Sequence, residues 1–279
     1  TEYDVIYSHL PDWVQTGRYK NSIDTKIIGY CHWWESKTAN GVDRRPGKAK
    51  WLWLPIELLG VSQMDTCYVN TQDQKSRILE QAKDIFNDDF VQKLDDILTV
   101  WNLGLPKKLI VEKPSKEKRN IIVFNHRAAA YKGYPRFIEL MREYRKRRDD
   151  FTVWVPQLAG KSPENWIDNS KSPKHEYYQR LQQCKVGVQM RQTNYGWSVS
   201  GTDCLMNGTP MIWQESDCYR EIDPNGMFFK KKTEFFDYLD KMLDDDLFRF
   251  AQEFRSIERA KELSDNEDKM IVKLNEKLK

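Results

Sequence analysis

Ile121-Ile122-Val123-Phe124-Asn125-His126-Arg127, followed by Lys132-Gly133, reads as a hydrophobic strand that ends in a basic turn. Further along come Tyr195-Gly196-Trp197-Ser198-Val199-Ser200-Gly201-Thr202-Asp203 and Asn207-Gly208-Thr209-Pro210-Met211-Ile212, a glycine-rich turn that opens a helix leading into the next strand. The surrounding pattern alternates: strand 120–125, helix 134–147, strand 151–155, loop 156–173, helix 174–183, strand 185–190, helix 200–207, strand 210–213 and a helical tail from about 232. Strands separated by helices of roughly 10–15 residues indicate parallel βαβ units. In such sheets ligands lie beyond the carboxyl ends of the strands.

The first half follows the same rule. Tyr3–His9 and Lys26–His32 are apolar strands that each finish at a histidine, and Cys67–Asn70 leads into a helix over 72–82. A helical turn at 88–94 and a strand at 97–101 come next, closed by Asn102-Leu103-Gly104-Leu105-Pro106. His9, His32, Asn70, Asn102, Arg127 and Gly196 all fall at or just past strand ends. The Gly-Pro punctuation and the lysine-rich run behind it mark a boundary. The expected organisation is a Rossmann-like domain over 1–106, a basic linker over 107–119, a second such domain over 120–260, and a C-terminal helix over 261–279 that packs back on the first domain.

A chain of 279 residues suits two domains with real cores. The 39% hydrophobic content fits a folded enzyme, while 31% charged residues and a mean hydropathy of −0.77 make the surface polar. Without an apolar run of roughly 20 residues or a leader pattern, a cytoplasmic protein is expected. Five scattered cysteines, with no CxxC pair, suit buried free thiols better than a zinc site or a disulfide framework. Net charge is only +3, yet Lys107, Lys108, Lys113, Lys116, Lys118 and Arg119 crowd one connector, and Arg142, Arg145, Lys146, Arg147 and Arg148 crowd one helix end.

Arg127 and Lys132, on a strand-to-helix loop, can both face one anion. As a bond to phosphate breaks, charge builds on the phosphate oxygen, and preplaced cations stabilise it without reorganising and without a metal. The loop Gly196–Gly201, with Ser198 and Ser200, offers the free amides of a helix start to phosphate or a sugar hydroxyl. Asp203, on the following helix, can accept from a ribose diol. His32, three residues before Glu35, can orient an acceptor hydroxyl or take its proton, and Trp33 or Trp34 can stack on a sugar or base. Each has a plainer alternative: solvated cations, a carboxylate that complements a helix dipole, a hydrogen-bonded structural histidine, core tryptophans.

The order strand-Asn125-His126-Arg127, Lys132-Gly133, His175–Met190, Asp203 and Gly208-Thr209-Pro210 resembles the C-terminal domain of retaining GT-B glycosyltransferases of the family-four type. This resemblance covers about 120–260, and more loosely the first hundred residues. It implies an α/β fold of two Rossmann-like domains with parallel sheets facing a cleft. It further implies Arg127 and Lys132 on the donor diphosphate and Asp203 on the ribose, where the family carries a glutamate. The family's other glutamate, before the glycine loop, has no counterpart: Thr193, Asn194 and Tyr195 stand there. The first domain is expected to be incomplete or reduced, because the family's opening strand, glycine-rich turn and helix have no counterpart before Asp4–His9. The segment Ile27–His32 is also similar to the acceptor-side strand of phage α-glucosyltransferases acting on hydroxymethylated DNA bases.

The resemblance implies a retaining hexosyltransferase using UDP-glucose or a similar nucleotide sugar, with no obligatory metal. Its acceptor would be a hydroxymethylated base in double-stranded DNA, held through the basic clusters, and a phage-encoded protein would work in the host cytoplasm. Two alternatives stay open: a transferase acting on polysaccharide or lipid-linked sugar, and a catalytically silent nucleic-acid-binding module on the same fold.

Overall fold

Among the described residues, most parallel strands are joined by helices, as the apolar periodicity leads one to expect. The computed structural model describes residues 3–9, 11–14, 24–31, 50–160, 162, 164–191 and 196–278. These form two units, one of Thr1–Leu103, Asn194–Trp197 and Lys269–Lys279, the other of Gly104–Thr193 and Ser198–Asp268.

In the first unit β1 (Val5–Ser8), β2 (Lys26–Cys31), α1 (Lys50–Val61), β3 (Thr66–Val69), α2 (Gln72–Lys83), α3 (Asp88–Ile97) and β4 (Leu98–Val100) follow one another. The strands form a parallel sheet in the order β1-β2-β3-β4. Strand alternation sends Ile27, Cys31, Cys67, Val69 and Leu98 into a core with Leu58, Val61, Ile78 and Leu94. A second cluster joins Ile28, Tyr30, Tyr68 and Trp101, against which Met270 packs. Helix starts are specified locally: Thr71 Oγ1 accepts the Gln74 amide at 3.1 Å, and Asn87 Oδ1 accepts the Phe90 amide at 3.1 Å.

The second unit contains β5 (Arg119–Val123), α4 (Tyr134–Arg145), β6 (Thr152–Trp154), β7 (Ile167–Asp168), α5 (Lys174–Gln183), β8 (Cys184–Gln189), α6 (Val199–Met206), β9 (Met211–Gln214), α7 (Asp217–Ile222), β10 (Met227–Phe229), α8 (Lys232–Asp244) and α9 (Asp246–Leu278). All its strands are parallel, in the order β10-β9-β8-β5-β6-β7. The chain winds one way from β5 through β6 to β7, then crosses to the other side of β5 for β8, β9 and β10. Buried Phe124, Phe137, Met141, Val153, Val188 and Phe235 lie in the core between sheet and helices.

Several elements depart from the sequence reading. The expected loop 156–173 contains β7, and α1, α7 and β10 were not anticipated. The helical tail is two helices, α8 and α9. Lys118, one of the cations of the expected basic linker, is buried and donates to the carbonyls of Cys184 at 3.1 Å and Gly208 at 3.0 Å, with Glu253 3.6 Å away. All five cysteines are free and buried. Among the described residues no helix is long and apolar enough to cross a membrane.

Candidate active site

The winding reverses between β5 and β8, and in an open parallel sheet that is where a crevice forms beyond the carboxyl ends. Past the end of β5 the chain stays buried through Phe124, Asn125 and His126, then emerges at Arg127. Past β8 it leads to the start of α6. These two places, 75 residues apart in sequence, are joined by hydrogen bonds. Asn125 Nδ2 donates to the Ser200 carbonyl at 2.7 Å, and Ser200 Oγ donates back to the Asn125 carbonyl at 3.1 Å. Gln157 Nε2 also donates to that carbonyl, at 3.1 Å.

The cations lie on the turn that follows. Arg127 is exposed, with Nη1 3.5 Å from the Tyr131 hydroxyl, and the Lys132 ammonium sits 5.3 Å from the centre of the Tyr131 ring. Tyr131 is thus flanked by both. Gly133 has φ +76°, and a Cβ there would meet Met190 Cβ at 2.5 Å. Its job is to turn the chain into α4 close against the end of β8. His126 is buried, and its pKa falls to about 3, first from burial and then from the nearby Lys132 charge. The imidazole is therefore neutral, and among the described residues Nε2 has no hydrogen-bond partner.

At the mouth of α6 the expected residues separate. Ser198 caps the helix: its buried Oγ accepts the Gly201 amide at 3.1 Å and donates to Gln189 Oε1. That hydroxyl is committed to structure. A Cβ on Gly201 would meet Trp213 Cη2 at 2.4 Å, so glycine is required for the helix to rest on the indole, and both its amide and its open side face inward. Neither residue has the ligand-facing side expected of it. What the helix start does offer is the amides of Val199 and Ser200, which helix geometry leaves without intrahelical acceptors. Gly196 groups with the first unit. His32, Trp33, Trp34 and Glu35 lie outside the described residues, as do Thr193, Asn194 and Tyr195.

Asp203 is half-buried on α6, and its pKa rises to about 6 because burial disfavours the carboxylate. Hydrogen bonding to Tyr177 and the charge of Lys174 oppose that rise. Tyr177 Oη lies 3.2 Å from Asp203 Oδ2 and receives Asn125 Nδ2 at 2.8 Å. Neither Tyr177 nor the bridging role of Asn125 was anticipated. Their signal in the sequence is slight, a polar residue at a strand end and one tyrosine among several. Two cations on one turn, two helix-start amides and a carboxylate one turn further on can hold a diphosphate beside a diol. Among the described residues no group of three or more His, Cys, Asp and Glu side chains is arranged to hold a metal ion.

Several cations of the basic clusters pair with acids within the second unit. Arg142 pairs with Glu164 at 2.9 Å, Arg147 with Asp240 at 3.0 Å, Arg148 with Asp150 at 2.7 Å and Asp244 at 2.6 Å, and Lys107 with Asp268 at 2.7 Å. Such surface pairs add little stability, and each offsets part of the positive charge of its cluster. A cavity beside the starts of β5 and β6, lined by Arg119, Arg145, Asp150, Asp168 and Arg180, contains none of the expected site residues.

No protein-family model and no curated protein matches the sequence. Solved structures do match in shape. TarM of S. aureus aligns over 97% of this chain and 54% of its own, at 13% identity and a TM-score of 0.73. Sucrose-phosphate synthase from Thermosynechococcus elongatus aligns over 99% of this chain and 74% of its own, at 12% identity and a TM-score of 0.74. Anabaena HepE, in complex with UDP and glucose, aligns over 98% and 78%, at 11% identity and a TM-score of 0.74. The chain thus spans about half the length of TarM. These neighbours are GT-B glycosyltransferases. Identity of 11–13% over nearly the whole chain speaks for architecture, and the fold of this chain is GT-B.

Proposed function

We propose that this chain transfers a hexose, glucose or a relative, from a UDP-linked donor to an acceptor hydroxyl with retention of configuration. The observation that carries the reading is the pair of hydrogen bonds between Asn125 and Ser200, which brings the cationic turn beside the amides of the α6 start. In support, HepE holds UDP and glucose, and TarM has been captured with UDP. Arg127 and Lys132 stabilise the departing diphosphate, the amides of Val199 and Ser200 bind phosphate oxygen, and Asp203 accepts from the ribose. The departing phosphate takes the acceptor proton as attack occurs on the face it vacates, so no strong protein base is needed. His32 positions the acceptor.

Calorimetric titration with UDP and UDP-glucose tests the donor site. Binding that weakens in Arg127→Ala and Lys132→Ala is expected. No binding at millimolar nucleotide would overturn the reading and leave a silent module on a GT-B fold. For the acceptor, the likeness of Ile27–His32 favours a hydroxymethylated DNA base, while the ion pairing of Lys107, Arg142, Arg147 and Arg148 weakens the case for a duplex-binding face. Product masses from hydroxymethylated DNA, polysaccharide and lipid-linked sugars decide between them.

A further inference from the structure

We propose that Tyr177 is a positioning residue that fixes one oxygen of the Asp203 carboxylate, so that the other is presented to the ribose hydroxyls of the donor nucleotide. The inference rests on the nucleotide-sugar reading above and extends it to a residue on a different helix.

Donor and acceptor roles along the chain of contacts are set by chemistry. A carbonyl can only accept, so the bond of 2.7 Å between Asn125 and Ser200 fixes which end of the carboxamide is the NH2 group. The second proton of that NH2 goes to Tyr177 Oη at 2.8 Å. Tyr177 therefore accepts from Asn125, and its single phenolic proton is left for Asp203 Oδ2 at 3.2 Å. The phenol keeps that proton, because burial first, and then the Asp203 charge, raise its pKa far above neutrality. Packing holds the ring in place, with Trp154 5.7 Å and Tyr178 5.4 Å from its centre.

The consequence is directional. One line of hydrogen bonds runs from the backbone of α6 through Asn125 and Tyr177 to the carboxylate of the same helix, so the phosphate-facing amides and the diol-facing carboxylate share one support. Other groups around Asp203 cannot do this. Lys174, on α5, acts on it through charge alone, and Cys204 is a buried neutral thiol. Burial pushes Asp203 toward protonation, and the Tyr177 hydrogen bond opposes it. Removing the hydroxyl therefore frees the carboxylate to rotate and lets it take up a proton nearer neutral pH.

Tyr177→Phe in the full chain, titrated with UDP and with 2′,3′-dideoxy-UDP between pH 6 and 8, separates this from a packing role. The wild type is expected to prefer UDP over the dideoxy compound by about tenfold, the scale of one good hydrogen bond to a charged group. The variant should lose most of that preference, bind the dideoxy compound as the wild type does, and show its acid midpoint for UDP binding at higher pH. Equal weakening of both ligands, or a retained preference, overturns the proposal. A wild type that does not bind UDP overturns the nucleotide reading together with this one. Should the phenylalanine variant fail to fold, 3-fluorotyrosine placed at position 177 strengthens the donor without changing shape. It should lower the acid midpoint for UDP, and an unmoved midpoint overturns the proposal.

Discussion

The carboxamide of Asn125 and the carbonyl of Ser200 lie 2.7 Å apart, and this bond joins the turn after β5 to the start of α6. Asn125 is fully buried, and the same NH2 also serves Tyr177. Asn125→Ala would remove the buried donor that serves both the Ser200 carbonyl and the Tyr177 phenol, a cost of about 1–3 kcal/mol. Thermal unfolding should show a loss of that size. Nucleotide affinity in the folded variant should fall about tenfold, since one of the two bonds that hold the halves of the anion site together is lost and only the Ser200 hydroxyl bond to the Asn125 carbonyl remains. A folded variant with wild-type UDP affinity would disconnect the turn from the helix start.

Arg127 and Lys132 should separate chemistry from stability. Arg127 is exposed, and Lys132 is only partly covered against Tyr131. Replacing either with alanine should change unfolding free energy by about 0.5 kcal/mol or less, as expected for surface positions. Turnover should fall about 100-fold for each, the scale for losing a preorganised partner of developing charge. Single-turnover kinetics with UDP-glucose measure this once an acceptor is identified, and wild-type rates in both variants would remove them from the site.

What could be read in the sequence, and what could not, follows from range. The strands β5 and β8 and the helices α4 and α5 carry continuous apolar or periodic patterns, so short-range rules find them. α1 was hidden because Pro55 lies inside it, and β7, with two residues, is too short for any periodicity. At the glycine-rich turn the local pattern misses what fixes each residue. Gly201 is set by the bulk of Trp213 from the neighbouring strand, and Ser198 by Gln189, contacts that no local pattern contains. Lys118 shows the same limit: a cation in a lysine-rich run is buried because two carbonyls and Glu253 converge on it from distant segments.

Asp203 sets stability against binding. Its folded pKa of about 6 exceeds the unfolded value, so the folded state holds an extra proton between roughly pH 4 and 6. The stabilisation is fully present below about pH 4 and is lost as pH rises through 6. At pH 7.5 the buried carboxylate therefore costs about 1–3 kcal/mol. Asp203→Asn should raise the unfolding temperature at pH 7.5, with the gain shrinking toward pH 4, while weakening UDP binding. Calorimetric unfolding across that range measures the first effect, and a gain independent of pH would contradict the assignment of the carboxylate as its source.

His126 should act in the opposite direction. Its folded pKa of about 3 lies below the unfolded value near 6.5, so the unfolded chain takes up a proton that the folded chain refuses. The stabilisation is present above about pH 6.5 and is lost as pH falls toward 3, amounting to about 2 kcal/mol by pH 5. His126→Gln removes the titrating group, and whatever it costs in packing at pH 7.5, its stability should change less between pH 7.5 and 5 than that of the wild type. Because Asp203 gains stability over part of this range, the two contributions separate only when each variant is compared with the wild type at matched pH. Denaturant unfolding at pH 7.5, 6 and 5 gives the slopes. If His126→Gln and the wild type fall in parallel, the folded imidazole takes up its proton as the unfolded one does, and burial does not hold it neutral.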